Sequence, residues 1–456
     1  MGQRPESSPR PARSLDGRAR LVVGLMLFSM FFGAGNLILP PLLGLQAGTA
    51  AVPATVGFLV SGIGLPVLAV VAVALAGDAR ALAGRVSARF SAVFVALVYL
   101  AIGPLLAIPR TSSTAFEMLS PLLPDGSEAV AQLAFSVVFF CVAFAMALRP
   151  GRISRFLGRV TGPALVALIA VLAVASIVDP LGVPGPVQAA YAASPAVDGF
   201  VTGYQTMDLL AAMTFGLVVA ENVGSLGVAD KGAQAREVSL AGLGAGILMA
   251  VIYCAFSFLG ATMGSVVPGA ANGAEVLTAA AYGHFGTAGV ALVAAIFLLA
   301  CFNVCVGLVS CCGTYFFETY GAGAPGPADH LLGRVPYAAW AAVFAAFSCV
   351  VSNVGLTQIL ALSVPLLEAL YPPAIVLVLM AFGAGAFDRR PWCWPAAVGC
   401  ATVLGVVQAA CGALAPGAPT VLDWLPLAGV GLGWTVPTAV ALAVTWLLSP
   451  GLPARG

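Results

Sequence analysis

The chain has 456 residues, of which 61% are hydrophobic and only 8% are charged, with 19 Lys and Arg against 18 Asp and Glu. Soluble domains carry about 25% charged residues, so this chain cannot cover a water-facing surface, and a soluble globular enzyme is excluded. Disorder is excluded because it requires low hydrophobicity. The net charge of +1 provides no basic stripe for nucleic acid. The composition is that of a polytopic membrane protein, which predicts an all-α fold in the lipid bilayer.

Ten cysteines and two histidines complete the inventory of reactive groups. The cysteines lie in apolar runs without zinc-type spacing, so we interpret them as small apolar residues in helices, with a metal site or disulfides as the minor alternative. Two histidines disfavour a membrane-embedded enzyme, which needs a metal cluster or a nucleophile with its base. A channel is disfavoured because no filter is repeated by symmetry. We therefore expect neither catalytic residues nor a cofactor.

Twelve segments are apolar and long enough to cross a bilayer, which takes about 20 residues per helix. They lie near residues 20–39, 52–76, 88–109, 130–148, 158–178, 204–226, 239–262, 286–316, 335–352, 357–383, 393–412 and 425–448. Alternating these spans across the membrane places every Lys and Arg on the N-terminal side except Arg110. The positive-inside rule then predicts a plasma-membrane protein with cytoplasmic tails at 1–19 and 451–456 around a single transporter domain at 20–450.

Two spans contain residues that weaken a helix at membrane depth. The first span holds Gly33, Gly35 and Asn36, and the sixth is the most polar, so we expect breaks near Phe32–Asn36 and near Ala211–Gly216. Irregular backbone is tolerated there only where it lines a cavity or is buried in protein; close packing through small residues is the alternative. Because the two spans are five apart, they predict an inverted repeat of 20–178 and 204–383, with two further helices at 393–448.

A resemblance to a known family adds to this interpretation. The run from Phe32 to Gly48 (FGAGNLILPPLLGLQAG) resembles the first-helix signature of BrnQ-type branched-chain amino acid:cation symporters. The resemblance continues through YLAIGP at 99–104, PRT at 109–111, GY at 203–204, TMD at 206–208, VSN at 351–353, SVP at 363–365 and YPP at 371–373. It covers about residues 20–450. The family belongs to the amino acid–polyamine–cation group with a LeuT-type fold, in agreement with the topology above.

The resemblance implies import of leucine, isoleucine and valine with a cation by alternating access. A carrier or exchanger of another neutral amino acid or small solute in the same fold is the alternative. Half-helix ends would hold the substrate's carboxylate and ammonium groups through free N–H and C=O groups. The substrate-site residues expected on this basis are Phe31, Ala34, Gly35, Val95, Tyr99, Leu209, Leu210, Ala212 and Phe215.

The coupling ion is Na⁺ or H⁺. The resemblance places a sodium site at Ser29, Phe32, Ala300 and Asn303, but Val304 stands where the family has a hydroxyl residue and offers no oxygen to a hard cation. Intramembrane carboxylates would carry protons instead. The further coupling candidates are therefore Asn36, Asp208 and Glu368, with Glu221 either a coupling group or a solvated residue at the helix end. For Arg110 we expect a structural ion pair with Glu117 or Asp208, with direct contact with the substrate as the minor alternative.

Overall fold

The computed structural model describes residues 14–119, 128–149, 156–321, 334–414 and 422–449. The described residues form helices and turns without β-strands. The N-terminal arginines up to Arg13, Arg152 and Arg155, and the tail at 451–456 lie outside them. The helices are α1 Gly17–Phe31, α2 Ala34–Ala47, α3 Ala51–Leu59, α4 Leu65–Ala76, α5 Ala79–Gly84, α6 Ala88–Leu100, α7 Ala107–Glu117, α8 Glu128–Ala147, α9 Gly162–Val178, α10 Ala189–Ala192, α11 Pro195–Tyr204, α12 Asp208–Ser225, α13 Lys231–Thr262, α14 Gly273–Phe285, α15 Thr287–Tyr320, α16 Tyr337–Ser352, α17 Leu356–Ala381, α18 Ala384–Phe387, α19 Cys393–Leu414 and α20 Thr435–Leu448.

The described helices include eight stretches that are long and apolar enough to cross a membrane, or nine if the bent pair α11–α12 is one span. Two further apolar helices, α16 and α20, are shorter than this criterion requires. Each predicted span overlaps one or two of the helices. The count of twelve crossings and the inverted repeat stay predictions, because length and composition alone do not place a helix across the bilayer.

The break in the first span falls where the sequence predicts it, since α1 ends at Phe31 and α2 begins at Ala34. The predicted break near Ala211–Gly216 is wrong, because α12 is helical from Asp208 to Ser225. The interruption lies earlier, between Tyr204 and Asp208, and bends the pair by 46°. Gly216 does not break the helix. A Cβ there would lie 2.9 Å from Val73 Cγ1, so the glycine allows α12 and α4 to pack closely.

Helix α13 packs along the first span and holds both of its halves. A Cβ at Gly44 would overlap the carbonyl oxygen of Ser257, and one at Gly260 would overlap that of Pro41, so α2 and α13 are in backbone contact. At the other end of α13, Arg20 Nε of α1 donates to Glu237 Oε2 at 2.7 Å. These contacts fix the two halves of the broken span relative to one continuous helix.

Candidate functional site

The break in the first span is stabilised by a side chain from the helix that follows it. The amide oxygen of Asn36, in the first turn of α2, accepts a hydrogen bond of 3.1 Å from the backbone N–H of Gly33. This is one half of a capping box and satisfies an N–H group that would otherwise be buried alone. The sequence therefore starts α2 at Ala34, with its N-terminal N–H groups and the positive end of its dipole at the break.

The break in the sixth span is made differently. Met207 adopts a left-handed conformation, with φ of 66°, between α11 and α12. The hydroxyl of Thr206 donates to the carbonyl of Gly203 at 2.9 Å and accepts from the backbone N–H of Asp208 at 3.3 Å. A methionine with positive φ is uncommon and costs free energy, so tertiary contacts maintain the break. Asp208 consequently opens α12 as its first residue.

The two breaks are in direct contact. The amide nitrogen of Asn36 donates to Asp208 Oδ2 at 2.6 Å and also contacts the hydroxyl of Tyr253 on α13. The same hydroxyl donates to Asp208 Oδ2 at 3.4 Å. Asp208 is only 3% exposed, so this carboxylate lies in a closed polar network that joins the first, sixth and seventh predicted spans. The sequence indicated Asn36 and Asp208 but gave no signal for Tyr253.

A third interruption, which sequence reasoning missed, brings Arg110 to the same place. Between α6 and α7 the chain forms a π-helical turn at Ala101–Leu105, where Gly103 has non-helical dihedral angles. The Gly103-Pro104 pair was the available signal, since both residues weaken a helix. Arg110 therefore lies on α7, where it is 8% exposed and its Nη1 donates to the carbonyl of Gln205 at 3.3 Å.

The position of Arg110 differs from the expected one. It lies within a helix next to the two breaks, and its hydrogen-bond partner among the described residues is a backbone carbonyl rather than the carboxylate of Glu117 or Asp208. A Cβ at Gly35 would lie 2.8 Å from Arg110 Nη2 and 3.4 Å from the Cα of Thr206. Glycine at position 35 is thus required by the close approach of three elements.

These elements enclose a small cavity with a free volume of about 40 Å³, room for a few water molecules. Its lining comprises Met30, Phe31, Gly33, Ala34, Gly35, Asn36, Ile102, Ala107, Arg110, Thr111, Thr206, Met207, Asp208, Ala211, Phe215, Val304 and Leu308. The rings of Phe31 and Phe215 meet edge to face at 5.1 Å on one side. Among the described residues, the polar part of the lining is concentrated at Asn36, Arg110 and Asp208, and most of the rest is apolar.

Of the predicted substrate residues, the cavity brings together Phe31, Ala34, Gly35 and Phe215. Leu209, Leu210 and Ala212 are fully buried on α12 but are not part of the lining. Val95 and Tyr99 are also buried away from the cavity, because the ring of Tyr99 stacks on that of Tyr315 with centroids 4.0 Å apart. The residues of this region that reach the cavity lie further along the chain, at Ile102, Ala107, Arg110 and Thr111.

The predicted cation residues occupy two places. Asn36 and Asp208 line the cavity, whereas Ser29, Phe32, Ala300 and Asn303 are buried behind it, between α1 and α15. Ser29 Oγ donates to the carbonyl of Leu157 at 3.3 Å. Asn303 is fully buried, and neither its amide oxygen nor its amide nitrogen has a hydrogen-bond partner among the described residues. Burying an amide without hydrogen-bond partners costs free energy. Asn303 is therefore a candidate ligand for a bound ion or polar molecule.

The two remaining carboxylates lie away from the cavity. Glu221 is exposed at the far end of α12 and lines a separate hollow with Asp78 and Lys231. Glu368 is half-buried on α17 and faces α19, where a Cβ at Gly412 would lie 3.7 Å from Glu368 Oε2. Helix geometry explains this, because its buried neighbours Leu367, Leu370 and Tyr371 point into the core and Glu368 is about 100° from Leu367 around the helix.

Broken helices facing one another across a small, largely apolar cavity define the class of the protein as a membrane transporter of LeuT-like fold. Solved structures with a similar fold include a manganese transporter of Eremococcus coleocola, with a TM-score of 0.59 and 14% identity over 97% of this chain and 98% of that one. A nucleobase-cation-symport-1 family transporter in a closed conformation gives a TM-score of 0.61 and 13% identity over 98% and 94% of the two chains. Identities this low show the fold alone.

The particular family follows from the sequence comparisons. The profile of the family described as "Branched-chain amino acid transport protein" matches residues 17–450. The chain is 35% identical to the branched-chain amino acid permease BraB of Bacillus subtilis, over 96% of each chain. It is 38% identical to the branched-chain amino acid transport system 2 carrier protein of Pseudomonas aeruginosa, over 94% of this chain and 96% of the relative. The chain belongs to this family of transporters, which confirms the resemblance found in the sequence, and it is not an enzyme.

Proposed function

We propose that this chain imports leucine, isoleucine and valine together with a cation, by alternating access across the plasma membrane with both termini in the cytoplasm. The observation that carries the proposal is the contact of two helix breaks around one small, largely apolar cavity. Relatives named as branched-chain amino acid permeases and carriers support the substrate class. A different neutral amino acid is disfavoured by the apolar part of the lining, which matches a branched aliphatic side chain.

The substrate's aliphatic group would lie against Met30, Ile102, Ala211, Val304 and Leu308. Burying such a group removes apolar surface from water, at about 25 cal/mol per Å². The zwitterionic part needs partners, because an unpaired charge in a cavity of low dielectric is costly. The N-terminal N–H groups of α2 and α12 suit a carboxylate, and the carboxylate of Asp208 suits an ammonium group.

Alternating access requires that the cavity open to one side at a time. Phe31 and Phe215 narrow it on the side that the topology assigns to the cytoplasm, and the rings of Tyr204 and Tyr371 meet at a tilt towards the other side, with centroids 4.6 Å apart. At about 40 Å³, the cavity must expand before it admits leucine. We infer that the first-span half α1 moves with Phe31, because the break at Phe32–Gly33 separates it from α2.

For the cation, two sites remain in competition. The amide oxygen of Asn303, with backbone carbonyls of Ser29, Phe32 and Ala300, would give sodium a set of oxygen ligands. Asp208 would carry a proton instead, since it lies in the cavity and contacts both broken spans. The unsatisfied amide of Asn303 favours the sodium site. Glu368 is less favoured as a proton carrier, because it faces α19 rather than the cavity.

The test is uptake of labelled leucine into proteoliposomes, with sodium and proton gradients imposed separately. We expect accumulation driven by one of the two gradients and competition by isoleucine and valine. Uptake in sodium-free buffer that follows an imposed pH gradient would select the proton mechanism, and uptake that collapses without sodium would select the Asn303 site. Absence of branched-chain amino acid uptake under every gradient, with another neutral amino acid accumulating, would contradict the proposed substrate.

A further inference from the structure

The guanidinium group of Arg110 is buried at the cavity with most of its hydrogen-bonding capacity unused. Arginine carries five N–H donors and cannot lose its charge. Here Arg110 is 8% exposed, and Nη1 makes one hydrogen bond, of 3.3 Å, with the carbonyl of Gln205. Within the described part of the chain, Nε and Nη2 have no hydrogen-bond partner. Nη2 is the nitrogen nearest Gly35, at the break where α2 begins.

Arg110 is not among the arginines that form salt bridges in the described residues, which are Arg20, Arg80 and Arg85. A buried cation normally pairs with a carboxylate or with several hydrogen-bond acceptors, because the desolvation cost is large. The carboxylate of Asp208 also lines the cavity, but its hydrogen bonds run through Oδ2 to Asn36 and Tyr253, and it forms no salt bridge with Arg110 among the described residues. The guanidinium therefore has room for one more anionic partner.

The groups around Nη2 favour an anionic ligand. The N-terminal end of α2 starts beside it at Ala34, and the N-terminal end of α12 starts at Asp208. Both ends place partial positive charge at the cavity. A planar guanidinium forms paired, charge-assisted hydrogen bonds with a carboxylate more readily than with any neutral group.

We propose that Arg110 binds the α-carboxylate of the transported amino acid. This inference rests on the proposed function and assigns a residue that the family resemblance did not place in the substrate site. The ammonium group then faces Asp208, so the cavity presents one positive and one negative group to a zwitterion. The pair makes the site selective for α-amino acids over the corresponding amines, alcohols and carboxylic acids.

The rival explanation is structural: Arg110 would serve only to hold the carbonyl of Gln205 at the end of α11. The two explanations differ in what they predict for a ligand without a carboxylate. A structural arginine affects every ligand of the cavity alike, whereas a carboxylate-binding arginine affects leucine and spares leucinol, which keeps the ammonium group and the side chain.

The experiment measures the binding of L-leucine and of L-leucinol, by competition, to the purified wild type and to R110Q and R110K. In the wild type, leucine should bind at least about 100-fold more tightly than leucinol, as expected for two charge-assisted hydrogen bonds. In R110Q, leucine binding should weaken at least about 100-fold while leucinol stays within about 3-fold. R110K should bind leucine more tightly than R110Q but less tightly than the wild type, since the ammonium group of lysine keeps the positive charge but lacks the planar, two-donor geometry of the guanidinium group.

R85Q is the matched control, because Arg85 pairs with Asp388 far from the cavity and its loss should leave both ligands unchanged. Equal weakening of leucine and leucinol in R110Q, or unchanged leucine binding, would overturn the proposal. If R110Q binds neither ligand at a measurable level, R110K decides instead: weaker leucine binding with unchanged leucinol binding supports the proposal, and equal weakening of both ligands contradicts it.

Failure of the proposed function gives a different result. A wild type that binds no branched-chain amino acid rejects the substrate class, and the same comparison is then made with the amino acid that does bind and its amino alcohol. In that case, if R110Q no longer distinguished the amino acid from its amino alcohol, the result would still show that Arg110 binds the carboxylate.

Discussion

Asp208 and Glu368 are both carboxylates within predicted membrane spans, and the structure places them in contrasting surroundings. Asp208 is 3% exposed, begins a half-helix and is bonded to Asn36 and Tyr253. Glu368 is half-buried within a continuous helix, beside Gly412, and has no hydrogen bond among the described residues. An intramembrane carboxylate therefore acquires a role from the elements that converge on it, rather than from its depth alone.

The same contrast separates two glycines. Gly35 lies at the point where three elements meet, and a Cβ there would be 2.8 Å from Arg110 Nη2. Gly244 lies on the exposed face of α13, with nothing within 4 Å of an added Cβ. Substitutions at the cavity should therefore reduce transport, and equivalent substitutions on the periphery should leave it unchanged.

The largest effect is expected for Gly35→Leu. The added side chain would displace Arg110 and fill the space next to the first break, so leucine uptake should fall to background while the protein stays folded and inserted. Uptake in proteoliposomes and elution of the purified protein as a single species are the measurements. Gly244→Leu is the control and should transport normally; normal kinetics in Gly35→Leu would show that this glycine serves only helix packing.

Asp208→Asn comes next. The substitution keeps the shape of the side chain and removes the charge that would face the ammonium group, a loss of about 1.5–3 kcal/mol for a charge-assisted hydrogen bond. That is about 10- to 150-fold in leucine affinity. Equilibrium binding is the measurement, with Asp198→Asn near the start of α11 as the control. Wild-type affinity in Asp208→Asn would place the ammonium group elsewhere.

Val304→Thr tests the sodium site with a smaller expected effect. Val304 Cγ2 lies 3.0 Å from the position of a Cβ at Gly33, so a hydroxyl at 304 would lie next to the first break. One added oxygen ligand is worth about 1 kcal/mol, or roughly a 5-fold lower sodium concentration for half-maximal uptake. Val290→Thr, on the same helix near its start, is the control. Unchanged sodium dependence in Val304→Thr would indicate that the cation does not bind at α15.

The smallest effect is expected for Glu368→Gln. Because Glu368 faces α19 and not the cavity, neutralising it should change leucine binding and uptake by less than about 2-fold, as for a peripheral substitution. The measurement is uptake driven by a pH gradient, compared with equilibrium binding in the same variant. A large loss of proton-driven uptake with intact leucine binding would indicate that Glu368, rather than Asp208, carries the proton.

The amino-acid sequence was enough to predict the class of the protein and about a third of the residues that line the cavity. Hydropathy fixed the helices, since apolar runs of this length have few alternatives in a bilayer. The Gly33 and Asn36 pattern located the first break, because glycine and a capping amide act locally along the chain. Phe31, Ala34, Gly35, Asn36, Asp208 and Phe215 were predicted as site residues, and all of them line the cavity.

Only the tertiary structure decided which residues of the other helices reach the cavity. The sixth-span break depends on a strained Met207 held by its neighbours, and no local residue preference indicates such a conformation. Tyr99 and Glu368 turn away because helix rotation and packing partners, such as Tyr315 and Gly412, are set by contacts distant in sequence. Arg110 had the opposite outcome: the topology predicted it beyond the end of the third span, and the distortion at Gly103 brings it to the cavity, since the path of a kinked helix depends on what packs against it.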